Sequence, residues 1–196
     1  NIIWFEKTWT WDLYYNIWLK YNIPNNKITS FENWIIITRE YFDYNTYYKN
    51  YFTDCFWFYR YYSNTNCNKI SNIDSINSAN LWDFIVWEIT ITNPVWRKNI
   101  EINDFIPAWT QIVNTNFDTT SSEVKALWNT YYFDRIEQKH DRVYIYSSNL
   151  WAWTYTYRYV LKATNKWKYS VKPATSNLID TPEVWGRTKW MSFEIK

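Results

Sequence analysis

The chain has 196 residues, 47% of them hydrophobic and 20% charged, with 21 basic against 19 acidic side chains and a formal net charge of +2. That length allows one large or two small domains with a real core, and the high aromatic content argues against disorder. The balanced charge gives no reason to expect nucleic acid or an acidic lipid surface as a partner. The longest apolar runs, such as Trp34-Ile35-Ile36-Ile37, fall far short of the roughly 20 residues a membrane helix needs, so no membrane span is expected. Residue 1 is Asn and no signal peptide is visible, so the sequence reads as a fragment whose targeting information lies upstream.

In chain order, residues 13–21 and 34–42 form the first β-rich runs. The stretch 45–72 stands apart. It gathers nine Tyr and Phe residues between Tyr47 and Tyr62, then turns Asn/Ser-rich, and reads as an inserted aromatic hairpin or long loop. It also holds the only two cysteines, Cys55 and Cys67. In an exported protein a disulfide between them would close a short loop, worth up to about 3 kcal/mol in the chain-entropy model, with two free thiols as the alternative. A further β-rich run covers 84–92, and Ile100-Glu101-Ile102 alternates. Residues 123–128 read as one or two helical turns after Thr119-Thr120-Ser121-Ser122, which offers N-cap candidates. Val143 and Ile145 alternate again. In 154–162, Tyr155, Tyr157, Tyr159 and Leu161 share one face and mostly polar residues the other, as in a half-buried strand. Residues 191–195 repeat the pattern, and Pro94, Pro107, Pro173 and Pro182 punctuate the stretches between strands. Many short strands without long helices predict an all-β fold, an antiparallel β-sandwich.

Little in the sequence suggests catalysis. His140, between Lys139 and Asp141, is the only histidine, and it reads as an exposed polar residue rather than a catalytic base. Two cysteines and one histidine outside any metal-ligand spacing do not make a zinc site, and no phosphate-cradling loop is present. Asp83 with Glu88, or Asp104 with Asp118, are conceivable acid–base pairs, but charges capping strand ends are far commoner. The expectation is no enzyme, no cofactor and no metal.

One count does not fit an ordinary globular protein: a single glycine, Gly186, against sixteen tryptophans. Together they make up roughly 9% of the chain, close to the usual total for the two residue types. Asn, Tyr, Ile and Lys, the other enriched residues, are written with AT-rich codons. Some uncultured bacterial lineages with AT-rich genomes read UGA as glycine, whereas a common alternative code reads it as tryptophan. Most tryptophan positions here are therefore read as glycines of the organism. Pro107-Ala108-Trp109-Thr110 and Asn165-Lys166-Trp167-Lys168 look like turn chemistry, where positive φ is wanted and an indole is not. The alternative is a truly Trp-rich protein whose asparagines supply the left-handed turns.

With glycine at those positions, Glu6-Lys7-Thr8-Trp9-Thr10-Trp11-Asp12-Leu13-Tyr14-Tyr15 becomes EKTGTGDLYY. This resembles the G-x-G-x-LYY strand that completes the CUB domain of bacterial alpha-2-macroglobulins. Residues 19–24 are similar to the exit from that domain, and Arg39-Glu40-Tyr41-Phe42-Asp43 to the family's REYYD segment. Trp82-Asp83-Phe84-Ile85-Val86 looks like the GDLV strand start, and residues 103–109 like the EDPLPAG turn. His140-Asp141-Arg142-Val143 is similar to DDRV, and residues 150–157 resemble LPAGTYTYTY. Trp167, Pro182 and Gly186-Arg187-Thr188 match the ending. The ordered set covers residues 4–43 and 73–196; the 45–72 insertion has no counterpart, and Ile179-Asp180-Thr181-Pro182 replaces the family's Met-Tyr before the proline.

The resemblance implies the end of a CUB domain at 1–26 and a terminal macroglobulin-like, immunoglobulin/fibronectin-like sandwich at 27–196. It implies a protease inhibitor in which bait cleavage exposes a Cys–Gln thioester that acylates the attacker. Cys55 lies in Thr53-Asp54-Cys55-Phe56, without the flanking Gly and Glu-Gln such a bond requires, so this chain would not be the reactive part. Its implied role is to pack against and shield the thioester domain, with Leu178 or Ile179 as an apolar plug. Its implied partners are that domain, the upstream domains of the same chain and, through the full-length protein, target proteases. The implied location is outside the cytoplasm, at the cell surface, in the periplasm or extracellular. If the tryptophans are genuine, the rival reading is a carbohydrate-binding β-sandwich module that stacks sugars on exposed rings. An adhesion repeat is less favoured, because no internal repeat is found.

Overall fold

The computed structural model describes residues 6, 8, 10, 22–51, 73–108, 110–114, 123–127, 129 and 133–196. In chain order they form β1 (Phe31–Asn33), β2 (Ile36–Asp43), α1 (Tyr44–Tyr51), β3 (Ser78–Ala79), β4 (Phe84–Asn93), β5 (Arg97–Phe105) and β6 (Thr110–Val113). These are followed by β7 (Arg135–Gln138), β8 (Arg142–Leu150), β9 (Trp153–Ala163), β10 (Trp167–Val171), β11 (Thr175–Leu178), β12 (Trp185–Arg187) and β13 (Met191–Ile195). A six-stranded sheet runs β1-β12-β11-β5-β8-β7, a four-stranded sheet β2-β4-β9-β6, and a small third sheet β10-β13-β3. Pairing is antiparallel except between β13 and β3. The expected antiparallel β-sandwich is what the chain forms. All four named prolines fall between strands, as the missing N–H of proline requires.

The register explains the layers. Tyr41, Trp87 and Tyr159 stand side by side across β2, β4 and β9, and so do Arg39, Ile89 and Tyr157. This face packs on Ile100, Ile102, Val143 and Ile145 of β5 and β8, forming one continuous core with Phe193 and Ile195 of β13. The alternation read at 100–102, 143–145 and 191–195 corresponds to this inward face.

The opposite face of the four-stranded sheet is covered too, and here three expectations are corrected. Tyr44–Tyr51 is an α-helix, so the start of the stretch 45–72 expected as an inserted hairpin or long loop is helical, and its remainder, 52–72, lies outside the described residues. The Asp43 carboxylate accepts from the Thr46 amide at 2.8 Å and its hydroxyl at 2.7 Å, capping the turn. Tyr44 and Tyr47, three apart, then bury one helical face on Phe42, Val86 and Val160. Second, residues 123–127 are not helical. Val124 is buried in this second cluster, and the Lys125 amide donates to the Tyr44 hydroxyl at 2.6 Å, which ties the backbone to α1 instead of to its own next turn. Third, β9 is buried on both faces rather than half-buried: α1 packs on Val160 and bonds Arg158 through Tyr47, and Thr156 on the same side is fully buried as well. The β-rich run at 13–21, Asp118, and both Cys55 and Cys67 lie outside the described residues.

Candidate functional site

Two buried charge networks hold the four-stranded sheet in place. In the core between the sheets, Arg39 Nη1 meets Asp104 Oδ1 at 2.7 Å, with both side chains fully buried. The other carboxylate oxygen accepts from Trp87 Nε1 at 2.9 Å and from the Tyr159 hydroxyl at 2.8 Å. Arg39 Nη2 donates to the Lys172 carbonyl at 2.9 Å. Burial works most strongly against the Arg39 cation, but the charge and hydrogen bond of Asp104, together with Tyr41 and Tyr159, outweigh it and raise the guanidinium above its ordinary value. Burial, then the Asp104 charge, push the Tyr159 hydroxyl well up, so it stays a donor. Beneath α1, Arg158 Nε donates to Glu88 Oε2 at 2.7 Å, and Tyr47 bonds to both. Tyr47 is likewise pushed up, first by burial and, less strongly, by Glu88, with Arg158 opposing.

These contacts remove the candidate acid–base pairs from catalysis. Glu88 is committed to Arg158, and Asp104 to Arg39, Trp87 and Tyr159. Asp83 accepts from the Asn80 amide in a turn. His140 is exposed in the β7–β8 turn. Among the described residues no group of three or more His, Cys, Asp or Glu is placed to hold a metal, and no helix is long and apolar enough to cross a membrane.

The remaining candidate is the loop joining β11 to β12. Leu178 is only 6% exposed and belongs to the sandwich's own core, whereas Ile179 is 51% exposed. The loop is braced from three sides. The Leu178 amide donates to the Val184 carbonyl at 3.1 Å, and the Val184 amide to the Thr181 carbonyl at 3.0 Å. On β5, the Asn99 carbonyl accepts from the Ile179 amide at 2.9 Å, and its side chain joins Asp180 at 2.6 Å to the Tyr146 hydroxyl at 2.7 Å. From β1, Asn33 donates to the Glu183 carbonyl at 2.5 Å. An apolar side chain thus projects into solvent from a loop whose backbone is hydrogen-bonded at Leu178, Ile179, Thr181, Glu183 and Val184.

Among the described residues the exposed tryptophan rings do not stack on one another, and the stacked pair at the surface is Phe31 on Trp185, 4.4 Å apart. Trp34, Trp82 and Trp167 sit on separate turns or strand ends, and the neighbouring rings of Trp96 and Trp151 are inclined by 47° at 6.4 Å. Sequence reasoning missed the Arg39–Asp104 pair and the Asn99 brace. The first had a signal: Arg39 falls in the inward series Ile35, Ile37, Tyr41, and Asp104 in the series Ile100, Ile102, so two opposite charges occupy apolar positions. The second had none, since it depends on where β5 meets the β11–β12 loop.

A double-layered antiparallel sandwich without assembled catalytic groups among its described residues is the architecture of an immunoglobulin-like macroglobulin domain. The family described as the bacterial alpha-2-macroglobulin MG10 domain matches residues 56–183, and the chain belongs to that family. Among solved structures, alpha-2-macroglobulin from Escherichia coli activated by porcine elastase is similar with a TM-score of 0.64 at 13% identity, over 88% of this chain and 14% of that one. The native E. coli protein spanning domain MG7 to the C-terminus gives 0.61 at 12% identity, over 88% and 25%. Salmonella alpha-2-macroglobulin reacted with methylamine gives 0.59 at 11% identity, over 85% and 9%. The chain therefore spans a quarter or less of the length of these proteins. No curated protein matches the sequence.

Proposed function

We propose that the chain is the non-catalytic C-terminal part of an exported bacterial protease trap, packed against a thioester domain that it keeps dry until the bait is cut. Residues 1–26 would finish a CUB domain, and the sandwich from 27 would supply the shielding wall. The reading is supported by family membership and, above all, by the braced 179–184 loop with its single outward isoleucine. A thioester persists only where water and nucleophiles are excluded, and a rigid loop on a β-scaffold is suited to holding an apolar plug in place. Within the expected pair, Ile179 is the side chain available for that contact, because Leu178 is used inside its own domain.

The reading of most tryptophans as glycine belongs to the same proposal, since the motif matches depend on it. It is supported by the exposure of Trp151, Trp153 and Trp167 in or beside turns. The Trp96 and Trp151 rings, inclined to each other, are not a flat sugar platform, which weighs against the carbohydrate-binding alternative at that place.

The test is made in the full-length protein. Ile179→Ser is expected to raise the rate of methylamine attack, read as thiol release, by about tenfold or more, because seating an isoleucine in an apolar niche is worth about 1.5–3 kcal/mol. An unchanged rate would overturn the role of Ile179. Absence of any methylamine-released thiol in the parent protein would overturn the thioester-shielding reading.

A further inference from the structure

Among the described residues, three non-glycine positions have left-handed backbone: Trp34 at φ 70°, Trp82 at φ 71° and Asn99 at φ 52°. Asparagine visits this region more readily than other residues because its side chain is short and polar, and the Asn99 side chain is further held by Asp180 and Tyr146, distant in sequence. Tryptophan has no such compensation; its Cβ crowds the following carbonyl. Trp82 is the third residue of the turn Asn80-Leu81-Trp82-Asp83, closed by the Asp83 amide on the Asn80 carbonyl at 3.2 Å. A positive φ at that place, after a residue with ordinary φ, defines the turn type that asks for glycine. Both indoles are mostly in solvent, 67% exposed at Trp34 and 59% at Trp82, so core packing does not offset the strain.

Trp87 is the reverse case. It lies in the middle of β4 with ordinary backbone and is completely buried. Its ring meets Tyr41 at 3.8 Å between centroids, and its Nε1 donates to Asp104 at 2.9 Å. Glycine there would leave an indole-sized void in the centre of a strand and remove a donor from a buried carboxylate.

The structure assigns glycine to positions 34 and 82 and genuine tryptophan to position 87. The glycine half rests on the recoding reading; the tryptophan half goes beyond it, dividing positions that look alike in the translated sequence. The remaining described tryptophans have ordinary backbone, and the geometry assigns none of them.

The test reads the gene and the protein together. Codons 34 and 82 should be UGA and codon 87 UGG, and tandem mass spectrometry of the protein isolated from its own cells should give glycine residue masses at 34 and 82 and tryptophan at 87. Tryptophan at all three would overturn this assignment, and with tryptophan also at 151 and 153 the recoding reading falls too. Glycine at 87 with glycine at 34 and 82 would overturn the division and leave recoding standing. Tryptophan at 34 or 82 alongside glycine at 151 and 153 would likewise overturn the division alone.

Discussion

Replacing Asp104 by asparagine removes one charge and hardly any volume from the centre of the sandwich. Three donors converge on the carboxylate: Arg39 on one oxygen, Trp87 and Tyr159 on the other. An amide has only one acceptor oxygen. Whichever way Asn turns, its NH2 faces either the guanidinium or the indole and phenol donors, and Arg39 becomes a buried cation without a counter-charge. Breaking a buried pair in this way costs about 3–5 kcal/mol. A urea titration followed by far-UV circular dichroism and by aromatic fluorescence should show a lower midpoint at unchanged slope, the product of the two falling by that amount. Asp141→Asn, which breaks the exposed pair with Arg142, should cost about 0–1 kcal/mol and serves as the control. The double change Arg39→Met with Asp104→Leu should recover much of the loss, because two apolar residues leave no unpaired charge. If Asp104→Asn costs no more than the control, this pair does not fasten the two sheets.

Three further outcomes follow from the same geometry. Gly186→Ala would put a Cβ 2.3 Å from the Ile35 carbonyl oxygen, so the variant should lose about 1–3 kcal/mol or more in the same titration, and a neutral result would mean the strands separate freely there. Tyr47→Phe removes the hydroxyl shared by Glu88 and Arg158 under α1 and should cost about 2 kcal/mol, measured by thermal unfolding against Phe at the part-exposed Tyr48. Burial raises the hydroxyls of Tyr41, Tyr47, Tyr157 and Tyr159 above the ordinary value of 10.0. The unfolded chain releases these protons near pH 10 while the native chain keeps them, so their contribution is complete below that pH and declines above it. Tyrosinate absorbance should therefore show a late step coinciding with loss of the circular dichroism signal; full titration of every tyrosine with the fold intact would refute it.

The strands were legible because their inward residues repeat every second position, as in Ile100, Ile102 and Val143, Ile145. Helix α1 was not, because its tyrosines are residues that also favour strands, and the signal that decides between them is the cap at Asp43 rather than the aromatic run. Residues 123–127 misled in the opposite way. A Ser/Thr cluster before Glu123 satisfies the local rule for a helix start, but a long-range bond from Lys125 to Tyr44 overrides it. Nor does alternation reveal whether a second layer covers the outer face, so the burial of Arg158 and Thr156 was out of reach. The β11–β12 loop was found through resemblance; its two apolar residues differ in exposure only because β11 ends between them.

The small third sheet bears on how the chain folds with time. Its central strand, β13, comes after every other strand in the sequence, yet Phe193 and Ile195 plug the core shared by the two larger sheets. Until residues 191–195 have left the ribosome, that end of the core has no cover, and β10 and β3 have no strand to join. The partner strand β3 was synthesised more than a hundred residues earlier, a separation that makes closure slow. A nascent chain held at residue 190 would thus be an unfinished sandwich with an apolar opening, a substrate for a holding chaperone and for a protease alike, and adding the last strand would end both vulnerabilities in one step.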